Sequence, residues 1–342
     1  MRLPLGPHRR YNPLLDEWVL CSPQRLDRPW QGATERVAET KRERYDAGCY
    51  LCPGNARANG ARNPAYDGPF VFDNDFPALL RDAPAERVED ELMRAVTERG
   101  ISRVVSFSPR HDLTLASMDT RDVRAVIDTW ADETATLGAR DEITHVQVFE
   151  NRGGMMGCSN PHPHSQIWAT QRVPTIPSRK LTAMMRHFER RRKDLLGEYL
   201  ERERAHSERV VFANEHWVAI VPFWAVWPFE TMVLPIRNVS ALAPLRDAER
   251  DALADTLGRL ARRYDDLFAC EFPYSMAVCQ APTDDALHPE WRLHFSFLPP
   301  LLRSATVRKY YVGYELVAEA QRDITPEYAA ERLRATSDVR RA

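Results

Sequence analysis

The chain of 342 residues lacks a long hydrophobic run, a large charge excess of either sign and a cysteine framework. No segment approaches the roughly 20 consecutive apolar residues that a membrane-spanning helix requires. The opening stretch, "MRLPLGPHRR", has no apolar core of a secretory signal, so the expected location is the cytoplasm, with no membrane partner. Lys and Arg total 47 against 49 Asp and Glu, a net charge of −2, and this balance argues against nucleic acid as a partner. The six cysteines are scattered, with only Cys49 and Cys52 close together, which excludes a dense disulfide scaffold. What is present is a 44% hydrophobic chain, long enough for about two domains or one large unit with a substantial core.

The first 70 residues are rich in Pro, Arg and Gly, and read as loops and short edge elements. "FVFDNDFPALL" (70–80) is a short strand entering a turn, and "ISRVVSFSPRHD" (101–112) is a strand that stops at Pro109. Val123, Val126, Ile127, Trp130 and Leu137 fall at helical spacing, with Asp119 or Thr120 as the cap. "ITHVQVFENRG" alternates as a strand, and "HSQIWAT" returns beside it. From 177 to 209 the mixed charges read as a solvated helical face. The same order then recurs: two strands in "HWVAIVPFWAVWPFETMVLPIRN", a helix in "AERDALADTLGRLARRYDDLF", the strand "YSMAVCQAP", and "EWRLHFSFLPP" where the His-Pro-His strand stood. This recurrence points to an internal duplication in an α+β chain. Residues 1–176 form one half and 177–342 the other, each an antiparallel sheet with a helix against it, and His294 is the one histidine kept by the second copy.

The chemistry concentrates in "GCSNPHPHSQIW" (157–168). Pro161 and Pro163 favour extended backbone, and the alternation of a strand places His162, His164, Gln166 and Trp168 on one face. Cys49 and Cys52 form a Cys-x-x-Cys knuckle, which suits half a zinc site, a redox pair or a simply buried pair. His111 and His162, each at a strand end, are the available partners for a closed Cys2His2 tetrahedron, a structural rather than a catalytic site. His164 is then left free. A neutral imidazole is a competent nucleophile at phosphorus, and a backbone carbonyl accepting from its other nitrogen would fix the tautomer. The turn "NRGGMMGCS" offers backbone N–H groups and the Ser159 hydroxyl to phosphate oxygens, and phosphoryl-type transfer needs mainly such placement.

Five ordered blocks carry a wider resemblance: "YNPLLDEWVLCSPQRLDRPWQG", "CYLCPGN", "FVFDNDFPAL", "VFENRGGMMGCSNPHPHSQIWA" and "PPLLRSATVRKYYVGYELVAEAQRD". Together they resemble the galactose-1-phosphate uridylyltransferases, a branch of the histidine-triad superfamily. The resemblance implies a homodimer with a composite active site, built from two histidine-triad-like halves whose antiparallel sheets form half-barrels with flanking helices. It implies uridylyl exchange between UDP-glucose and galactose 1-phosphate by ping-pong kinetics, with His164 as the nucleophile and Gln166 bonding the phosphoryl oxygens. By the same resemblance Asn151, Cys158 and Ser159 meet phosphates, and Phe72, Asn74, Asp75 and Phe76 form the uridine pocket. Arg25 and Arg28 would reach the nucleotide across the dimer interface, and Lys309, Val312, Tyr314, Glu315 and Gln321 would recognise the hexose from the partner subunit. Zinc would be held by Cys49, Cys52, His111 and His162. Some members carry a second, iron site made of one glutamate and three histidines; here those positions read Lys180, Cys279, His294 and Ser296, so no iron is expected. A sibling nucleotidylyltransferase or phosphorylase with another sugar or base, and a non-catalytic nucleotide binder, are the alternatives; intact His164 and Gln166 disfavour the second.

Overall fold

The computed structural model describes residues 3–26 and 42–340. Strands β1 (His8–Asn12) and β2 (Glu17–Cys21) open the chain. The first half continues with β3 (Phe70–Asp73), the small hairpin β4 (Arg87–Glu89) and β5 (Arg94–Val96), then β6 (Gly100–Ser106), α1 (Thr120–Gly138), β7 (His145–Arg152) and β8 (His164–Thr170). Helices α2 (Thr175–Arg191) and α3 (Leu195–His206) lead to β9 (Val210–Ala213), β10 (Trp217–Ile220), β11 (Thr231–Pro235), α4 (Asp247–Leu267), β12 (Tyr274–Cys279) and β13 (His294–Leu298). The chain ends through α5 (Tyr314–Val317), β14 (Ala320–Arg322) and α6 (Pro326–Arg334).

One antiparallel sheet runs through both halves in the order β3-β6-β8-β7-β12-β13-β11-β10-β9. With β9 set aside, the order is the same from either end: β3, β6, β8 and β7 mirror β10, β11, β13 and β12. Helix α1 follows β6 as α4 follows β11. This symmetry is the internal duplication in three dimensions. The two expected sheets meet at β7 and β12, where Phe149 faces Ala277.

Alternation divides the sheet into two unlike faces. On one face Val105, Ile167, Val148, Val278 and Phe295 pack against α1 and α4 in a continuous core. Helix α1 contributes Val123, Val126, Ile127, Trp130 and Leu137, the positions expected from the sequence. Trp130 also satisfies its indole N–H by donating to Ser165 Oγ at 2.9 Å, as a buried tryptophan must. The other face differs between halves. In the second half, α2 and α3 cover it, with Met184, Leu196 and Leu200 packed on Val218, Ile220 and Met232. In the first half it carries His164 and Gln166. The solvated face expected for 177–209 fits α2, where only Met184 is buried, but α3 buries Leu195, Leu196 and Leu200. Its mixed charges mislead because the buried Glu203 is neutralised internally, by Arg209 at 2.9 Å.

A separate three-stranded sheet, β1-β2-β14, joins the two ends of the chain, with β2 and β14 parallel. Arg10, 2% exposed, grips the carboxylate of Glu327 through two hydrogen bonds of 2.9 Å. Buried Arg322 donates to the carbonyls of Ala225 at 2.7 Å and Pro228 at 3.0 Å. These contacts anchor the segment around residues 309–323 to the second half. Among the described residues, no helix is long and apolar enough to cross a membrane.

Candidate active site and metal cluster

The alternation expected of the His-Pro-His stretch holds from His164 onward. In β8, His164, Gln166 and Trp168 are half-buried on one face while Ser165, Ile167 and Ala169 are buried on the other. His162 differs: it precedes the strand, is 1% exposed, and its ring belongs to a cluster with the cysteines. Pro163 separates the two histidines, and the carbonyl of that proline accepts from the Phe107 N–H at 2.9 Å, tying the turn to the end of β6.

The ligand atoms of Cys49, Cys52, His111 and His162 all lie within 4.8 Å of one another, and all four residues are buried. Individual separations from Cys52 Sγ are 3.5 Å to His162 Nδ1 and 3.7 Å to His111 Nδ1. Edges of a zinc tetrahedron built from S and N ligands are roughly 3.3–3.8 Å, so these distances suit such an ion. The surroundings fit as well. His162 Nε2 lies 2.8 Å from the carbonyl of Ser108 and 2.9 Å from Ser106 Oγ. A carbonyl can only accept, so Nε2 carries the proton and Nδ1 turns its lone pair to the sulfurs. Burial pushes the His162 ring down to about 4 and lowers His111, keeping both neutral, as metal ligands are. Burial also pushes the Cys52 thiol up to about 11; a cation is what would hold a thiolate there. The four residues therefore fit a metal ion, in the closed arrangement of a structural site.

His164 stands beside this cluster. Its Nδ1 donates to the carbonyl of His162 at 2.8 Å, which leaves Nε2 with its lone pair unprotonated. Burial lowers its pKa, opposed by that hydrogen bond, so the ring is neutral at neutral pH. A cavity of about 550 Å³ opens in front of it, lined also by Asn151, Gly153, Gly154, Cys158 and Pro163. A smaller pocket brings together Asn151, Cys158, Ser159, His164 and Gln166, five of the residues expected at the phosphates. The turn between β7 and β8 makes this convergence possible. Gly153 (φ 84°) and Gly157 (φ 78°) both occupy the left-handed region that side chains disfavour. Within it Cys158 donates to the carbonyl of Asn160 at 3.0 Å, and Asn160 Oδ1 accepts the His162 N–H at 2.9 Å. Asn151 accepts from Ser275 at 2.7 Å, a contact from the second half of the sheet.

Register links Gln166 to the residues expected at the uridine. Phe72 pairs with Val104, which pairs with Gln166, so the three share a row on one face. Phe72 is thus two strands, about 10 Å, from Gln166. Phe76 is 79% exposed, and Asn74 caps it by accepting its N–H at 3.0 Å. Asp75 faces Arg57 at 3.7 Å, and that guanidinium lies 4.5 Å over the Phe72 ring. Arg57 is not among the residues expected from sequence, although it stands only five residues past Cys52. Glu150 is absent from that set too: it lines the cavity, and burial pushes its carboxyl up to about 7. Strict alternation through "HVQVFENR" would have flagged it, because it falls on the core face with Val146 and Val148.

The remaining expected residues lie elsewhere on the single chain. Arg25 bonds Asp323 at 3.0 Å, and Arg28 is outside the described residues. Lys309 Nζ donates to Glu315 and to the carbonyl of Gln321, both at 2.6 Å, forming a compact knot. Val312 and Tyr314 are more than half exposed beside it. Among the described residues, none of these lines the cavity or the pocket at His164.

Comparison with known proteins matches residues 4–174 to the N-terminal domain of galactose-1-phosphate uridyl transferase and residues 180–342 to its C-terminal domain. A galactose-1-phosphate uridylyltransferase from Rattus norvegicus is 51% identical, over 97% of this chain and 88% of that protein. One from Haemophilus influenzae is 49% identical, over 97% of this chain and 95% of that protein. A solved uridylyltransferase structure superposes with a TM-score of 0.77 at 27% identity, covering 96% of this chain and 97% of that one. An ADP-glucose phosphorylase from Arabidopsis thaliana shares the fold, with a TM-score of 0.77 at 24% identity over 97% of this chain and all of that one.

Proposed function

Because this chain belongs to the galactose-1-phosphate uridylyltransferase family, we propose that it exchanges a uridylyl group between UDP-glucose and galactose 1-phosphate through a covalent uridylyl-histidine at His164. The observation that carries this reading is the hydrogen bond of 2.8 Å from His164 Nδ1 to the His162 carbonyl, which presents Nε2 unprotonated. In the first half-reaction Nε2 attacks the α-phosphorus of UDP-glucose, a P–N bond forms, and the bond to the glucose 1-phosphate oxygen breaks. In the second, a phosphate oxygen of galactose 1-phosphate attacks the same phosphorus and Nε2 departs with its lone pair, giving UDP-galactose. Neither step requires a proton from the imidazole, so a fixed tautomer is sufficient.

Gln166 donates its amide N–H to the transferring phosphoryl oxygens, while the 153–159 turn and Ser159 receive the β-phosphate side, with Asn151 and Cys158 beside them. This is catalysis mainly by placement and charge compensation. Phe72, Asn74, Asp75 and Phe76 hold the uridine, and Arg57 keeps Asp75 and the Phe72 ring in register. Zinc is the metal of the Cys49, Cys52, His111 and His162 cluster, and its role is structural, because it fixes His162, whose carbonyl orients the nucleophile. The active enzyme is a homodimer in which Arg25, Arg28, Lys309, Val312, Tyr314, Glu315 and Gln321 complete the partner's site. That Arg25, Lys309, Val312, Tyr314, Glu315 and Gln321 do not line the His164 cavity of their own chain supports this arrangement. Residues 1–176 and 177–342 act as its two halves, and free cysteines suit a cytoplasmic setting.

The test is to incubate the enzyme with UDP-glucose labelled in the α-phosphate, without acceptor. Label should attach to His164 with stoichiometric release of glucose 1-phosphate, and galactose 1-phosphate should then discharge it. His164→Ala should take no label and lose at least about 10⁴-fold in turnover while remaining folded. Absence of a quenched adduct in active wild-type enzyme removes the ping-pong route; discharge by other sugar phosphates alone points to a sibling activity.

A further inference from the structure

The second half of the sheet carries a thiol, an amine and an imidazole in one cluster, outside the His164 site. Register pairs Cys279 with His294 across β12 and β13. Phe149 pairs with both Gln166 and Ala277, so alternation puts Cys279 on the same sheet face as Gln166 and His164. Helix α2 covers this part of the face and brings Lys180 down onto it. Lys180 Nζ is 3.3 Å from Cys279 Sγ and 3.1 Å from His294 Nε2. His294 Nδ1 donates to the Arg292 carbonyl at 2.9 Å, so its Nε2 can only accept. The lysine is therefore the donor to both, and an ammonium beside a sulfur is the setting that holds a cysteine as thiolate.

The cluster also has an entrance. Cys279, Lys180 and Ser296 line a cavity of about 370 Å³ walled by Leu14, Trp224 and Trp227. His145 lines it as well, 2% exposed, with no hydrogen-bond partner for either ring nitrogen. Its acidic groups are Glu17 and Glu230, and Glu230 is engaged by the N–H groups of Val226 and Trp227. An apolar-walled pocket with one nucleophile and a buried, unpartnered imidazole is built to receive a small polar molecule rather than to stay empty.

We propose that Cys279 is a covalent modification site: a thiolate held by Lys180 that reacts with low-molecular-weight disulfides entering this cavity. Cys279 Sγ attacks one sulfur of the small disulfide, the S–S bond breaks, and a mixed disulfide forms on the protein. The departing thiolate takes a proton from solvent, and the disulfide itself is the oxidant. Burial by itself would raise the Cys279 thiol, but the Lys180 ammonium beside the sulfur outweighs it and the group lies at about 5. The other thiols go the opposite way: burial raises Cys21 and Cys158 and takes Cys270 to about 11, and Cys49 and Cys52 belong to the metal cluster.

The probe is glutathione disulfide, applied to the full-length, metal-retaining protein at about pH 5.5 and followed by intact mass and peptide mapping. Acid sharpens the contrast. There a thiol of pKa about 5 is roughly three-quarters ionised, against about 0.1% for an ordinary thiol; the weaker nucleophilicity of the less basic thiolate returns about thirty-fold, leaving an advantage on the order of twenty-fold. The first adduct should map to Cys279. Lys180→Met should slow it at least about ten-fold while Lys180→Arg keeps most of the rate, because the charge is retained. A first adduct on Cys158 or Cys270, or a folded Lys180→Met protein reacting at the wild-type rate, overturns the assignment. If Lys180→Met does not fold, the order of labelling in wild-type protein decides alone.

Discussion

Replacing Cys52 by serine should empty the metal cluster and loosen the nucleophile together. Cys52 is 0% exposed, and its sulfur lies 3.5 Å from His162 Nδ1 and 3.7 Å from His111 Nδ1. A serine hydroxyl is a far poorer ligand than a thiolate for an ion such as zinc. Structural zinc contributes about 10–16 kcal/mol to the folding of small domains that depend on it. This chain has a large core besides, so only part of that appears as global stability. If a quarter does, the loss is about 3 kcal/mol, and at about 2–4 °C per kcal/mol the midpoint falls by roughly 6–12 °C. Activity should fall more steeply than stability. The cluster fixes His162, and the His162 carbonyl holds His164 at 2.8 Å, so a sub-ångström shift there misdirects the attacking nitrogen. The assay is metal content by mass spectrometry beside thermal melts with and without chelator, and turnover below the melting range. Full metal retention by Cys52→Ser, or an unchanged midpoint with unchanged turnover, refutes the reasoning.

Metal analysis of the purified wild-type protein should find about one zinc per chain and essentially no iron, since Lys180 Nζ sits 3.1 Å from His294 Nε2 and a cation repels a cation; stoichiometric iron contradicts this. Mixing Arg28→Ala with His164→Ala protein under subunit exchange should restore activity, because a mixed dimer has one site with both residues intact; an inactive mixture with proven exchange removes the composite site. Glu150 has its carboxyl raised to about 7 by burial, so its contribution to stability is present below its unfolded pKa near 4.5 and lost as pH rises through about 7. Glu150→Gln should therefore gain on wild type across that window, by at most about 3 kcal/mol in urea titrations, and a difference that stays constant with pH counts against it.

Much of this molecule was settled by local sequence. The helical spacing of Val123, Val126, Ile127 and Trp130 dictates α1 because only a period of 3.6 buries all of them, and the alternation through "HSQIWAT" dictates β8 because only a period of 2 separates Ile167 from Gln166. The repeated order of elements was likewise legible, since a duplicated chain keeps its hydrophobic pattern even where residue identities drift. The cluster of Cys49, Cys52, His111 and His162 could be named in advance, the cysteines from their spacing and the two histidines through the family resemblance. Other features exist only between distant segments. That the two halves share one sheet at β7 and β12 depends on which edges find each other, which no local period encodes. The burial of α3 depends on Arg209 and Arg191 arriving to neutralise Glu203 and Glu198, so its charges reveal nothing until partners are in place. Arg57 over Phe72, and Lys180 between Cys279 and His294, are products of packing, and their chemistry is electrostatic. A charge acts through distance, and sequence separations of 15, 99 and 114 residues carry no information about distances of 3–5 Å until the chain has folded.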